Sequence, residues 1–251
     1  MKNVNKFLNL ILPLFTILFI LVVWAIGSKI EDNEFILPTV GQALEEFFVL
    51  LGQAKFYRAL FFTVLRSFIS FIISFILSGI LAYLSSKSRK LEKLILPFIS
   101  VMRALPTIAI AWLLVFWTNN QVAPVVITML VVFPTSYTHV LGALNSVDKT
   151  TIYAGKVDGA DWLNLFLRIE LPQIAPDVCS ITGSGIALNF KLMVAAEVLG
   201  ATVTSLGTMF NMANYGFEVA RTLALTIVVL ILGLLVELLF NALSKKVGEW
   251  K

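Results

Sequence analysis

The sequence lacks most of what catalysis in solution requires. It has one cysteine, Cys179, in 251 residues, so no internal disulfide can form and a cysteine-based metal site is not expected. Its one histidine, His139, reads as a packed or interfacial side chain near a helix end rather than a catalytic base. No Gly-x-x-x-x-Gly-Lys-Ser/Thr loop is present, so ATP binding by a P-loop is not expected. His-Glu-x-x-His and Gly-x-Ser-x-Gly are missing as well, and no cluster of catalytic groups replaces them. The chain is therefore not expected to be an enzyme, nor to hold a metal or cofactor. Charge is scarce too: only 14% of residues are Asp, Glu, Lys or Arg.

What fills the sequence instead is apolar surface. Hydrophobic residues make up 59% of the chain and the mean hydropathy is +0.92. A run of about 18 apolar residues is long enough to cross the hydrocarbon core as a helix. Such runs lie near 7–26, 60–84, 94–117, 122–141, 174–199 and 223–243. The expected fold is all-α: a polytopic bundle of six transmembrane helices forming one membrane domain over 1–251, with an N-terminal helix at about 7–27 and a core at about 55–243. A cleaved signal peptide ending near Ala25-Ile26-Gly27 is the competing reading of the first run, which is longer than a usual h-region.

The net charge of +4 is not a nucleic-acid signal, because the positive residues gather in short interhelical loops. Lys2 and Lys6 precede the first run, and Glu31, Asp32 and Glu34 follow it. Lys87, Arg89, Lys90 and Lys93 form the densest basic cluster, and Lys245, Lys246 and Lys251 close the chain. By the positive-inside rule both termini are expected in the cytoplasm. Phe35-Ile36-Leu37-Pro38-Thr39 followed by Val40, Ala43, Leu44, Phe47, Phe48 and Leu51 is expected to form a short amphipathic helix on the outer membrane surface.

Within the spans, Ser70, Ser74, Ser78 and Ala82 recur at every fourth residue, a spacing that lets helices approach closely or, alternatively, lines a pore. Arg66 is expected near the outer interface, where it can snorkel to water. Pro106 follows Arg103 by three residues, and the fifth run carries Asn189, Lys191 and Glu197. Lys191 and Glu197 are six apart and do not pair on one face. Polar groups inside a membrane mark a pathway by default, so Arg103, Pro106, Asn189, Lys191 and Glu197 are pathway candidates. An interfacial position is the alternative for Arg103 and Glu197.

The run from Asn145 to Pro172 is the longest polar interval in the second half of the chain. It predicts two short helices, the first capped by Asp148 and broken at Gly159, the second capped by Asp158 with Asp161 three residues on. Trp162, Phe166 and Ile169 would share one face, and Pro172 fits the first turn of a new helix. An exposed Trp/Phe stripe held between membrane spans suits a docked partner; the same stripe could equally pack back on its own bundle.

This loop resembles the "EAA" motif of ABC importer permeases. That motif runs Glu-Ala-Ala, three residues, Gly, nine residues, then Ile-x-Leu-Pro. Here it reads Tyr153-Ala154-Gly155, Gly159 followed by Ala160, and Ile169-Glu170-Leu171-Pro172, with Tyr153 and Gly155 departing from the pattern. Thr63-Val64-Leu65-Arg66, Arg103-x-x-Pro106 and Val194-Ala195-Ala196-Glu197 with Gly200 resemble segments of the same family, the last of them nitrate/sulfonate/taurine-type permeases in particular. Ser205-Leu206-Gly207 matches the family's Gly-Leu-Gly in part. The resemblance implies a type I importer permease of a bacterial inner membrane, multi-pass. It would assemble with a second permease copy, cytoplasmic ABC ATPase subunits and an extracytoplasmic substrate-binding protein. Tyr153, Ala154, Gly155, Gly159, Ala160, Trp162, Phe166, Ile169, Leu171 and Pro172 would form the ATPase-coupling loop. The solute would be small and polar or anionic, of the sulfonate, taurine, nitrate or thiamine-precursor pyrimidine type, and the excess of Arg66, Arg103 and Lys191 over acids in the spans favours an anion. A stand-alone secondary transporter is the alternative; it predicts inverted repeats, which the two halves do not display.

Overall fold

The computed structural model describes residues 2–248, with side chains described at 12 and from 15 to 246. Lys251 and the side chains of Lys2 and Lys6, used above to orient the chain, lie outside this set. The described elements are helices throughout: α1 (Lys2–Glu31), α2 (Val40–Leu51), α3 (Ala54–Lys87), α4 (Arg89–Ala104), α5 (Thr107–Trp117), α6 (Ala123–Asn145), α7 (Lys149–Val157), α8 (Trp162–Leu165), α9 (Leu171–Leu199), α10 (Leu206–Tyr215) and α11 (Val219–Gly248). Between α8 and α9 lies a π-helical turn, Phe166–Glu170. Four of the described helical segments are long and apolar enough to cross a membrane: 54–87, 123–145, 162–199 and 219–246. The α4–α5 pair makes a fifth if counted as one bent span.

The chain divides into two compact units, one of residues 1–57 with 209–228 and one of 58–208 with 229–251. In the smaller unit, α2 starts from a capping box. The Thr39 hydroxyl accepts from the Gln42 amide, and the Gln42 side chain accepts from the Thr39 amide at 2.8 Å. Trp24 donates its indole N–H to the Pro38 carbonyl at 2.9 Å, tying the segment before α2 back to α1. A short helix expected within Phe35 to Leu51 is thus present, from Val40 to Leu51.

In the larger unit α6 packs most extensively on α9, with α4 and α5 also against α6. One apolar cluster joins Ala82, Ile99, Tyr137, Leu141, Leu144 and Ile174; a second joins Ala111, Ala123, Ile127 and Ala196. Small residues set how closely the helices approach. Ser70, Ser74, Ser78 and Ala82 are all fully buried, which answers the choice left by their spacing in favour of helix packing. On α9, a Cβ at Gly183 would collide with Phe240 of α11, and one at Gly185 would stand 2.8 Å from the Phe71 ring of α3. Outward faces stay apolar, as with Ile72, Ile76 and Ile80 of α3 and Leu234, Leu238 and Leu239 of α11.

Two expectations change. The run 94–117 is not one helix: α4 and α5 meet at 92°. Pro106 lacks an amide donor and pushes Leu105 out of the helical region, to φ −67, ψ 130. The fifth span does not start at 174 either. From Trp162 the helix runs on through the π-turn to Leu199 without a break, and Pro172 sits in its course, in the first turn of α9.

Candidate functional site

The polar run 145–172 folds into a compact unit between α6 and α9. Asp148 caps α7, accepting from the Thr150 amide at 2.9 Å and from the Thr151 hydroxyl at 2.8 Å. Those bonds, the Thr150 amide foremost, hold its carboxyl below the usual aspartate range. The Asp148 amide donates to the Gln173 side chain, joining the start of the loop to α9. Gly159 has φ +78, the left-handed conformation that favours glycine, and turns the chain toward α8. The next cap differs from expectation: Asp161, not Asp158, accepts from the Asn164 amide at 3.0 Å, while Asp158 closes the end of α7. An N-cap needs extended backbone, which Asp161 has and Asp158 lacks.

The apolar stripe also divides differently. Trp162 is 67% exposed, but Phe166 and Ile169 turn inward. Phe166 meets the Tyr83 ring of α3 edge-on at 4.8 Å. Ile169 and Leu165 pack so closely on α7 that a Cβ at Gly155 would stand 2.7 and 2.8 Å from them. That explains a glycine where the resemblance expects alanine. The exposed apolar residues of this loop are therefore Tyr153, Val157, Trp162, Leu163, Leu167 and Leu171. Ala154 and Pro172 are exposed beside them, and Ala160 is half-buried.

The pathway candidates fall into two groups. Arg103, Pro106 and Lys191 are exposed, with the Lys191 stem lying over Gly233 of α11. Asn189 and Glu197 are fully buried. Asn189 clasps α3 to α9: its Nδ2 donates to the Ser67 carbonyl at 2.6 Å and to the Ser67 and Ser70 hydroxyls at 2.9 Å each, while the Ser70 hydroxyl donates back to its Oδ1.

Glu197 anchors the far end of α9, and its partner corrects the reading of Arg66. Arg66 does not snorkel: its side chain is 12% exposed and its guanidinium grips Glu197 Oε1 through Nη2 at 2.8 Å and Nε at 2.9 Å. Glu197 Oε2 accepts from the Thr63 hydroxyl at 2.8 Å and the Gly207 amide at 3.4 Å. Arg66 also donates to Gln121 and to the Thr204 carbonyl, so its charge and its donors are spent locally. A Cβ at Gly207 would collide with Glu197, a structural reason for the glycine in Ser205-Leu206-Gly207.

One feature had no signal in the sequence beyond separate polar residues. Thr138, His139 and Ser146 on one side and Asp177, Ser180 and Ser184 on the other line a groove of about 520 Å³ along the paired helices α6 and α9. His139 is exposed there rather than packed.

The chain matches the family described as "binding-protein-dependent transport system inner membrane component" over residues 74–249. It is 24% identical over 233 residues to the taurine transport system permease protein TauC of Escherichia coli strain K12, covering 90% of this chain and 84% of that one. It is 25% identical over 197 residues to the formylaminopyrimidine transport permease protein ThiX of Halalkalibacterium halodurans, covering 75% and 76%. Its fold is similar to that of an inward-facing MetNI methionine ABC transporter, with a TM-score of 0.66 at 17% identity over 76% of this chain and 95% of the other.

Proposed function

We propose that this chain, which belongs to the family of binding-protein-dependent transport system inner membrane components, carries a small polar or anionic solute across a bacterial inner membrane. Membership makes it the membrane-spanning permease of an ABC importer, a transport subunit. The observation that carries the finer reading is the α7–α8 unit. It is an apolar-faced surface capped at both starts and inserted between two long apolar helices. Tyr153, Val157, Trp162 and Leu163 expose on it the contact area a docked ATPase subunit would cover.

The mechanism follows from continuity. ATP-driven closure of two cytoplasmic ATPase subunits moves α7 and α8, and the unbroken helix from Trp162 to Leu199 carries that motion into the bundle as a rigid body. The solute arrives on an extracytoplasmic binding protein and passes between this chain and a second copy. Six spans complete the topology, α1 and the bent α4–α5 pair joining the other four, with both termini and the basic cluster 87–93 in the cytoplasm.

For the solute, Arg66 drops out, since Glu197 neutralises it. Arg103 and Lys191 stay exposed and support an anion or a zwitterion such as the taurine of one relative. Both, with Pro106, are assigned to the pathway; Asn189 and Glu197 are assigned to its wall as the groups that hold α3 and α9 together. The hydroxyl-lined groove of α6 and α9 supports a polar path there, because lipid is a poor solvent for His139 and Asp177.

The test is co-expression with candidate ATPase and binding-protein subunits, detergent purification and reconstitution in liposomes. A co-purifying ATPase and ATP-dependent uptake of taurine or another sulfonate are expected. Gly159→Val, strained at φ +78, should abolish ATP-driven uptake while the chain still inserts. A solitary chain that moves solute on an ion gradient would overturn the reading.

A further inference from the structure

Lys87 is the last residue of α3 and Glu170 the last residue of the π-turn. Their side chains form an ion pair through Glu170 Oε1, 3% exposed on the glutamate and 44% exposed on the lysine. The other carboxylate oxygen, Oε2, is buried without a hydrogen-bond partner among the described residues. The Lys87 ammonium also stands over the Tyr83 ring, 5.0 Å from its centre. Tyr83 in turn meets Phe166, at the other end of the π-turn, edge-on. Two residues one turn apart on α3 thus hold both ends of the segment that joins α8 to α9.

The arrangement is unusual in three respects that point the same way. A carboxylate taken out of water needs a cation, and Lys87 is the one that supplies it. The lysine remains partly hydrated, so the pair adds little to stability. The π-turn is a geometry that recurs at functional sites, and here it places Phe166 and Glu170 on the side facing α3.

We propose that the Lys87–Glu170 ion pair, buttressed by Tyr83 and Phe166, is the strut that passes movement of the docking loop to α3. This rests on the reading of that loop as the ATPase-docking surface. α9 receives the movement through its own backbone; α3 receives it through these side chains. Lys87 and Glu170 are positioning residues: they touch neither solute nor nucleotide, and they set how much of the loop's displacement reaches a second membrane-spanning helix. Held by one oxygen only, the Glu170 carboxylate can rotate about its grip on Lys87 as the loop tilts, without the strut letting go.

The experiment uses the complete transporter in liposomes and measures ATP hydrolysis and solute uptake together. Glu170→Gln should raise the ATP hydrolysed per solute imported about tenfold, a size usual for coupling between separate sites. Co-purification of the ATPase should be unchanged. Lys87→Met, which strips the buried Glu170 carboxylate of its cation, should reproduce the effect on the ratio at a lower yield of complex, and Lys87→Arg should restore the ratio. A merely structural pair would lower the yield of complex and leave the ratio alone. An unaltered ratio in both Glu170→Gln and Lys87→Met overturns the strut. A wild-type complex that holds no ATPase overturns the docking reading first, and the strut with it.

Discussion

Glu197 and Glu170 stand at the two ends of the same long helical run, both buried, both facing α3, and they are held in opposite styles. Glu197 has both oxygens occupied: two guanidinium bonds on Oε1, a hydroxyl and an amide on Oε2. Glu170 has one lysine on one oxygen and, among the described residues, no hydrogen-bond partner on the other. A fully satisfied buried network rigidifies, whereas a half-satisfied one leaves room for rearrangement. One end of the helix is built as a fixed corner, and the end next to α7 and α8 is tied to α3 by a single ion pair. A transporter that must move at one side and keep its helices registered at the other needs both.

This contrast breaks most directly at Glu197. Glu197→Ala leaves Arg66 charged and buried without its counter-ion, and should cost about 3–5 kcal/mol. A thermal-shift measurement in detergent checks it, and a loss no larger than that of Glu170→Ala would abolish the distinction. Gly207→Ala should come next, at about 1–3 kcal/mol, because the new Cβ is driven into Glu197. Its loss should persist in the Glu197→Ala background, since the atoms it strikes, the Cβ and backbone carbon of residue 197 and the amide nitrogen of Val198, are still there. Glu170→Ala should cost about 1 kcal/mol or less, because Lys87 can rehydrate, and its effect should appear in coupling instead of in stability.

The smallest effect belongs to Asp148, whose exposed cap orders only the first turn of α7. Asp148→Ala should speed amide exchange at Thr150 and nearby residues and leave global unfolding unchanged. The pH dependence has a definite sign. A carboxyl held below its ordinary value stabilises the folded helix start at pH above the unfolded aspartate range, and that contribution disappears as pH falls through the lowered value. Exchange in α7 should therefore accelerate below the ordinary aspartate range in the wild type and not in Asp148→Ala.

Most of the architecture was legible because it is local. Apolar runs longer than the hydrocarbon core announce spans whatever surrounds them. Asp148 sits before a helix and caps it, and Gly159 adopts the conformation that glycine is there to permit. The Ile-x-Leu-Pro end of the loop and its spacing from Gly159 were enough to suggest an importer permease. Where local signals compete, the sequence alone does not choose between them. Asp158 and Asp161 are both good caps, and only the course of the backbone after Gly159 selects Asp161. Pro106 marked an interruption, but nothing in a proline dictates a 92° turn rather than a kink.

The sequence by itself thus determined the class of the molecule, the approximate places of most of its apolar helices and the family it resembles, since these follow from hydropathy, capping and spacing along the chain. Tertiary structure alone decided which polar groups face each other. Arg66 finds Glu197 from 131 residues away, Lys87 finds Glu170 from 83, and Phe166 and Ile169 turn in while Trp162 stays out. Those choices depend on how α3, α7 and α9 approach one another. That approach is set by small residues such as Gly155, Ser70 and Gly185, whose role is visible only once their neighbours are in place.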